Sequence, residues 1–145
     1  MSHQTIARVL LAVLCGSQGL GTLAIDLNRT HATNSAWTRH ARFHLVWQAA
    51  SYALLSILEI ALILVPGPYS MERFYFAAIL AAIPMFSCLL AFSFRGLYGG
   101  ALSDPNGIPP FKATFFRTTW HVDLNLTAEI FAIMILIGIV AIFAH

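Results

Sequence analysis

At 145 residues, 59% hydrophobic and 10% charged, with a mean hydropathy of +0.76, the chain falls outside the composition of soluble domains and takes lipid as its main solvent. A formal net charge of +2 is too small to hold a phosphate backbone, so nucleic acid is not an expected partner. The two cysteines, Cys15 and Cys88, each lie inside an apolar run, which excludes a disulfide scaffold and a CxxC site.

Four stretches are long enough to cross a hydrocarbon core of roughly 30 Å, which takes about 20 helical residues. The first, residues 6–26, begins with Arg8 before an apolar run, in the manner of a signal peptide. It contains Leu14-Cys15-Gly16, which resembles a lipoprotein site. Leucine before the cysteine and an apolar stretch continuing to Ile25 without a small-residue cleavage motif make it a retained helix. Gly16, Ser17, Gly19 and Gly21 suit close helix packing. The second span, 43–65, ends at Pro66-Gly67-Pro68, because proline withdraws an amide and disfavours helix in the residue before it. The third, 73–94, contains Pro84, expected to kink it. The linker 96–120 is rich in turn formers, Asp104-Pro105-Asn106-Gly107 and Pro109-Pro110 among them, and the fourth span covers 121–143. The expected fold is all-α: one integral membrane domain, an antiparallel four-helix bundle.

Four crossings put both termini and the short 66–72 connection on one side and the two longer loops on the other. Six of the eight basic residues (Arg29, Arg39, Arg42, Arg95, Lys112 and Arg117) flank the long-loop side. The positive-inside rule makes that side cytoplasmic and both termini external, in a plasma (inner) membrane. Trp37, Trp47 and Trp120 fall at the same face, as interfacial anchors do. The sequon Asn28-Arg29-Thr30 would then face the cytoplasm and is discounted.

This topology gathers Asp26, His31, His40, His44, Arg95, His121, Asp123 and Glu129 at one depth, leaving His3 and His145 at the opposite side. Spacings of four draw polar stripes: Gln18, Thr22 and Asp26 on the first helix, His40, His44 and Gln48 on the second, His121, Asn125 and Glu129 on the fourth. Glu59 returns to the Gln48 face deeper in the second helix. Ionisable groups inside a membrane face the bundle interior and are candidates for function, although Asp26, His40, His121 and Asp123 also suit helix-end and interfacial roles.

Three chemistries use these residues. His40 and His44, with His31 or His121, suit a single zinc or iron ion, a carboxylate such as Asp26 or Glu129 completing the set. The same histidines with Glu129 and Asp26 suit acid–base work on a lipophilic substrate, such as a double-bond shift. Arg39, Arg42, Arg95, Lys112 and Arg117 suit an anionic lipid headgroup or an acidic partner.

The run Thr30-His31-x-x-Asn34-x-x-Trp37-x-x-His40-Ala41-Arg42-Phe43-His44 resembles the motif T-H-x-x-N-P-x-W-P-x-H-A-[RK]-F-H of a family of small four-span membrane proteins from bacteria and fungi. That family has no assigned activity. The resemblance covers about fifteen residues, and Ser35 and Thr38 stand where proline is usual. A more distant likeness of architecture is to the emopamil-binding-protein superfamily of sterol isomerases and sterol-binding proteins, through Asp26 closing the first helix, a tryptophan-containing loop and a polar start to the second. The expected function is binding or conversion of a lipophilic small molecule at a site of His40, His44, His121, Glu129 and Asp26 at the cytoplasmic mouth of the bundle. The alternative is a non-catalytic subunit or assembly factor that binds membrane lipids, either as a homo-oligomer or within a membrane complex.

Overall fold

The computed structural model describes residues 1–103 and 108–145. The expected turn at Asp104-Pro105-Asn106-Gly107 lies outside the described residues. The chain runs α1 (His3–Asp26), α2 (Arg39–Leu64), α3 (Ser70–Phe94), a 3₁₀ turn (Arg95–Leu97), β1 (Phe111–Phe115), β2 (Thr118–Val122) and α4 (Leu124–Ala144). All four helices are long and apolar enough to cross a membrane.

Local chemistry sets the helix ends. Ser2 Oγ accepts from the Thr5 amide at 3.2 Å and Thr38 Oγ1 from the Ala41 amide at 3.1 Å, capping α1 and α2. Capping by Thr38 starts α2 at Arg39, a turn before the apolar run that suggested residue 43. The helix stops at Leu64, with Val65 extended ahead of Pro66. Pro84 does not interrupt α3, which is continuous from Ser70 to Phe94.

The fourth span departs from expectation at its start. Residues 118–122 pair with 111–115 as an antiparallel hairpin instead of extending the linker or the helix, and α4 begins at Leu124. Asp123 caps it, accepting from the Leu126 amide at 2.8 Å. The two-residue loop Phe116-Arg117 holds both residues at positive φ, 46° and 69°, the backbone of a type I′ turn. Neither residue is the usual Asn or Gly, so each carries strain of about 1 kcal/mol. The alternation of Phe111, Ala113 and Phe115 with the Thr118–Val122 run is what favours strand.

In the helical array, α1 and α3 each pack on both α2 and α4. At one end the contacts are closed. Arg8 Nη1 and Nη2 donate to the carbonyls of Ile63 (3.2 Å) and Ser70 (2.7 Å), and its guanidinium lies 5.4 Å from the Phe143 ring. Phe143 stacks on Phe74 with centroids 3.7 Å apart and planes within 8°. Arg73 donates to the Val65 carbonyl just past α2 and to that of Ala61, which also accepts from the Val65 amide. The start of α1, end of α2, start of α3 and end of α4 therefore meet there. Behind them lies a core of Ala7, Leu11, Cys15, Ile63, Phe74, Ala77, Ala81, Met85, Leu136 and Ile139.

The tightest contact is between α1 and α2. Ser56 Oγ donates to the Cys15 carbonyl at 2.8 Å, and a Cβ added at Gly19 would lie 2.5 Å from that hydroxyl oxygen. Gly16 has only the end of Ile60 nearby and Gly21 has open space, so of the three glycines only Gly19 is required by packing. Gly19→Ala is expected to destabilise the protein by about 1–3 kcal/mol through overpacking, while Gly21→Ala leaves it unchanged or slightly more stable. Thermal unfolding of the two variants in detergent checks this difference.

Candidate functional site

Between the four helices, at the end opposite the Arg8 contacts, lies an open cavity of about 670 Å³. This is within the range of small-molecule sites, roughly 300–1,000 Å³. Its polar wall is built from the stripes. Gln18, Thr22 and Asp26 come from α1, Gln48 and Tyr52 from α2, Ser87 and Cys88 from α3, Asn125 and Glu129 from α4. Leu14, Ile25, Met85 and three alanines supply the apolar wall, and no basic residue lines it.

Gln18, Thr22, Gln48 and Tyr52 are held by hydrogen bonds within the bundle. Thr22 Oγ1 donates to the Gln18 carbonyl at 2.8 Å, Gln18 Nε2 to the Ala81 carbonyl at 3.3 Å, and Gln48 Nε2 to the Tyr52 hydroxyl at 3.5 Å. The two carboxylates differ. Among the described residues neither the Asp26 nor the Glu129 side chain has a hydrogen-bond partner, and both are half-buried. Tyr52 lies within electrostatic reach of both carboxylates, and Cys88 within reach of Glu129. The arrangement presents two acids to one solvent-open, largely apolar space.

The histidines expected beside them occupy other places. His31 lies in the α1–α2 connection, where Thr30 Oγ1 donates to Asn28 Oδ1 at 2.6 Å. Thr30 has spent its only proton, so the 2.7 Å contact to His31 has Nδ1–H donating to Thr30, which leaves His31 Nε2 as an acceptor. The His31 ring meets Trp37 edge-on at 5.5 Å and is within electrostatic reach of Asp26. Asn34 is buried, donating to the Thr30 carbonyl and accepting from the Ala36 amide, both at 3.0 Å. Thr30, Asn34 and Trp37 thus build the connection, a role their place in the motif did not reveal.

His40 and His44 face each other on the exposed first turns of α2, Nε2 to Nε2 at 3.0 Å with rings perpendicular. One ring must carry the shared N–H and the other accept it. Neither lines the cavity. His121, expected at the head of the fourth helix, sits instead on exposed β2 opposite Lys112. The hairpin thereby takes it off the stripe that Asn125 and Glu129 continue. Among the described residues no three His, Cys, Asp or Glu side chains gather as a metal-ion set, so His31, His40, His44 and His121 do not form one ligand cluster.

Tyr52, Met85, Ser87 and Cys88 are cavity residues that the sequence reading did not single out. Tyr52 follows Gln48 by one turn and was legible from that spacing. The α3 residues had no polar stripe to mark them. Comparison with models of known protein families, with curated proteins and with solved structures gives no match.

The two thiols report on this geometry, since Cys88 lines the cavity and Cys15 is fully buried. A water-soluble maleimide is expected to modify Cys88 in the folded protein and Cys15 only after unfolding. Mass spectrometry of the digested, labelled protein gives the result directly, and equal labelling of both in the native state contradicts the cavity.

Proposed function

We propose that this protein is an integral membrane antiparallel four-helix bundle that binds a lipophilic small molecule in the cavity and acts on it by acid–base chemistry through Asp26 and Glu129. The observation that carries the reading is two carboxyl groups, each without a protein hydrogen-bond partner among the described residues, facing one largely apolar space. An apolar body is favoured by the Leu14, Ile25 and Met85 wall. A hydroxyl or amine head group supplies the donors that unpartnered carboxylates lack. The absence of Lys or Arg from the lining disfavours an anionic head.

The two acids suit a proton shift. One carboxyl in its protonated form gives a proton to one carbon of an alkene, and the other, as carboxylate, removes a proton from the neighbouring allylic carbon. The double bond moves and the pair exchanges protonation states. Proton exchange with water in the open cavity resets that difference, with Tyr52 and Cys88 on the same wall as Glu129. His31, in the α1–α2 connection that follows Asp26, adds an exchangeable nitrogen at that end. His40, His44 and His121 lie outside this chemistry and belong to the headgroup region, with Arg39, Arg42 and Lys112 beside anionic lipid.

Asp26→Asn and Glu129→Gln are each expected to weaken binding of a lipophilic alcohol or amine about tenfold or more, since a hydrogen bond to a charged group is worth about 1.5–3 kcal/mol. Thermal-shift titration of detergent-purified protein with a panel of such compounds measures the change. Binding that is indifferent to both substitutions sinks the proposal. No stabilisation by any compound favours the non-catalytic subunit instead.

Orientation is a separate part of the proposal. The excess of basic residues near the long connections supports a topology with both termini outside. Periplasmic reporter activity from fusions at both the N- and the C-terminus is the expected outcome, and cytoplasmic reporter activity at either end contradicts it.

A further inference from the structure

Glu59 has no part in the cavity chemistry, yet among the described residues it is the acidic side chain buried most deeply. It is 1% exposed, and among the described residues neither carboxyl oxygen makes a full hydrogen bond, the Cys15 thiol standing beside them at the margin of one. Apart from Cys15, the fully buried residues of the other three helices are non-titratable. On α1 these are Ala7, Leu11, Cys15 and Gly19; α3 contributes Phe74, three alanines, Pro84 and Met85, and α4 contributes Leu136, Ile139 and Phe143. The Cys15 thiol is the titratable group in electrostatic contact with Glu59. Arg8 is committed to the Ile63 and Ser70 carbonyls and Arg73 to those of Ala61 and Val65.

An ionised carboxylate buried in such surroundings has no counter-charge among the described residues, and the cost of that is removed by taking up a proton. The surroundings also differ on the two sides. Towards the Arg8 end the stacked Phe74 and Phe143 rings and Ile63 close the core. Towards the cavity, Gln48, Tyr52, Ser56 and Glu59 follow one another at intervals of four, four and three residues along one stripe of α2. Gln48 and Tyr52 line the cavity, Ser56 is buried with its hydroxyl at the α1 contact, and Tyr52 to Glu59 is about 10 Å along the helix axis.

We propose that Glu59 is a proton-binding site in the membrane core, filled and emptied from the cavity side only, along the Tyr52–Ser56 stripe. In its loaded form Glu59 is the neutral acid. On release the proton leaves through the stripe to water in the cavity, and the carboxylate that remains draws water or its proton back by the same route. The site stands independently of what the cavity binds, because Glu59 is not among the cavity-lining residues.

Infrared spectroscopy of the full-length protein in lipid bilayers tests this. The carbonyl-stretch band of a protonated carboxyl is expected at neutral pH in the Asp26→Asn/Glu129→Gln double variant, where the cavity acids are gone, and is expected to disappear when Glu59→Gln is added to it. In deuterated buffer the band should shift several-fold more slowly in Tyr52→Phe, which removes one hydroxyl and keeps the ring. Spectra of the double variant with and without Glu59→Gln that coincide in this region overturn the proton site. An exchange rate unchanged by Tyr52→Phe overturns the one-sided route. Should Glu59→Gln fail to fold, Cys15→Ala decides, because removing the neighbouring thiol must move the band of a protonated Glu59. A band unmoved there also overturns the assignment.

Discussion

The approach of α1 to α2 at Gly19, Cys15 and Ser56 is the contact on which the rest of the structure depends. Ser56 donates its proton across the helices to the Cys15 carbonyl, and Gly19 lacks the methyl group that would meet the serine. Small-residue contact and interhelical hydrogen bonds are what hold the register between helices as apolar as these. Fixing this register decides which faces turn inward. It carries Gln18, Thr22 and Asp26 to the cavity wall from α1, and Gln48 and Tyr52 from α2, and it buries Glu59 one turn beyond Ser56.

The molecule is consequently unequal at its two ends. One end is filled by the Phe74–Phe143 stack and held by arginines donating to helix carbonyls. At the other end the helices part around a cavity of about 670 Å³, and the connections there are longer. The closed end provides the rigidity that a site on four separate helices needs, since each helix contributes only two or three of its polar groups. The Thr30–Trp37 segment serves the same purpose from outside. Its asparagine and threonine bonds shape the connection between α1 and α2, holding His31 near Asp26 without making it part of the wall.

Much of this was legible in the sequence. Length and hydropathy locate four helices, and spacings of four mark the side chains that reach the cavity, among them Gln18, Thr22, Asp26, Gln48, Asn125 and Glu129. The histidines were not legible in the same way, for a local reason. A stripe argument assumes that the helix continues through every member, but His121 lies beyond the Asp123 cap, on a strand. The hairpin that holds it turns at Phe116-Arg117 with neither Gly nor Asn, so the usual sign of a tight turn was missing. His40 and His44 do share a helical face, but on turns that lie outside the cavity, where they meet each other. Glu59 was visible as a buried acid; that its only close titratable neighbour is the Cys15 thiol, among the described residues, required the packing of all four helices.

Photoaffinity labelling measures the central claim most directly, that the space lined by Asp26 and Glu129 is where a lipophilic molecule binds. A photoreactive lipophilic amine or alcohol is bound to the protein in bilayers, irradiated, and its adducts mapped by mass spectrometry. The account predicts adducts concentrated on the cavity-facing residues of α1 and α4, around Thr22, Asp26, Ala128 and Glu129, and displaced by excess unlabelled compound. Adducts spread over the outward apolar residues Phe76, Ile79 and Ile83 of α3, with none on the cavity residues, would contradict it.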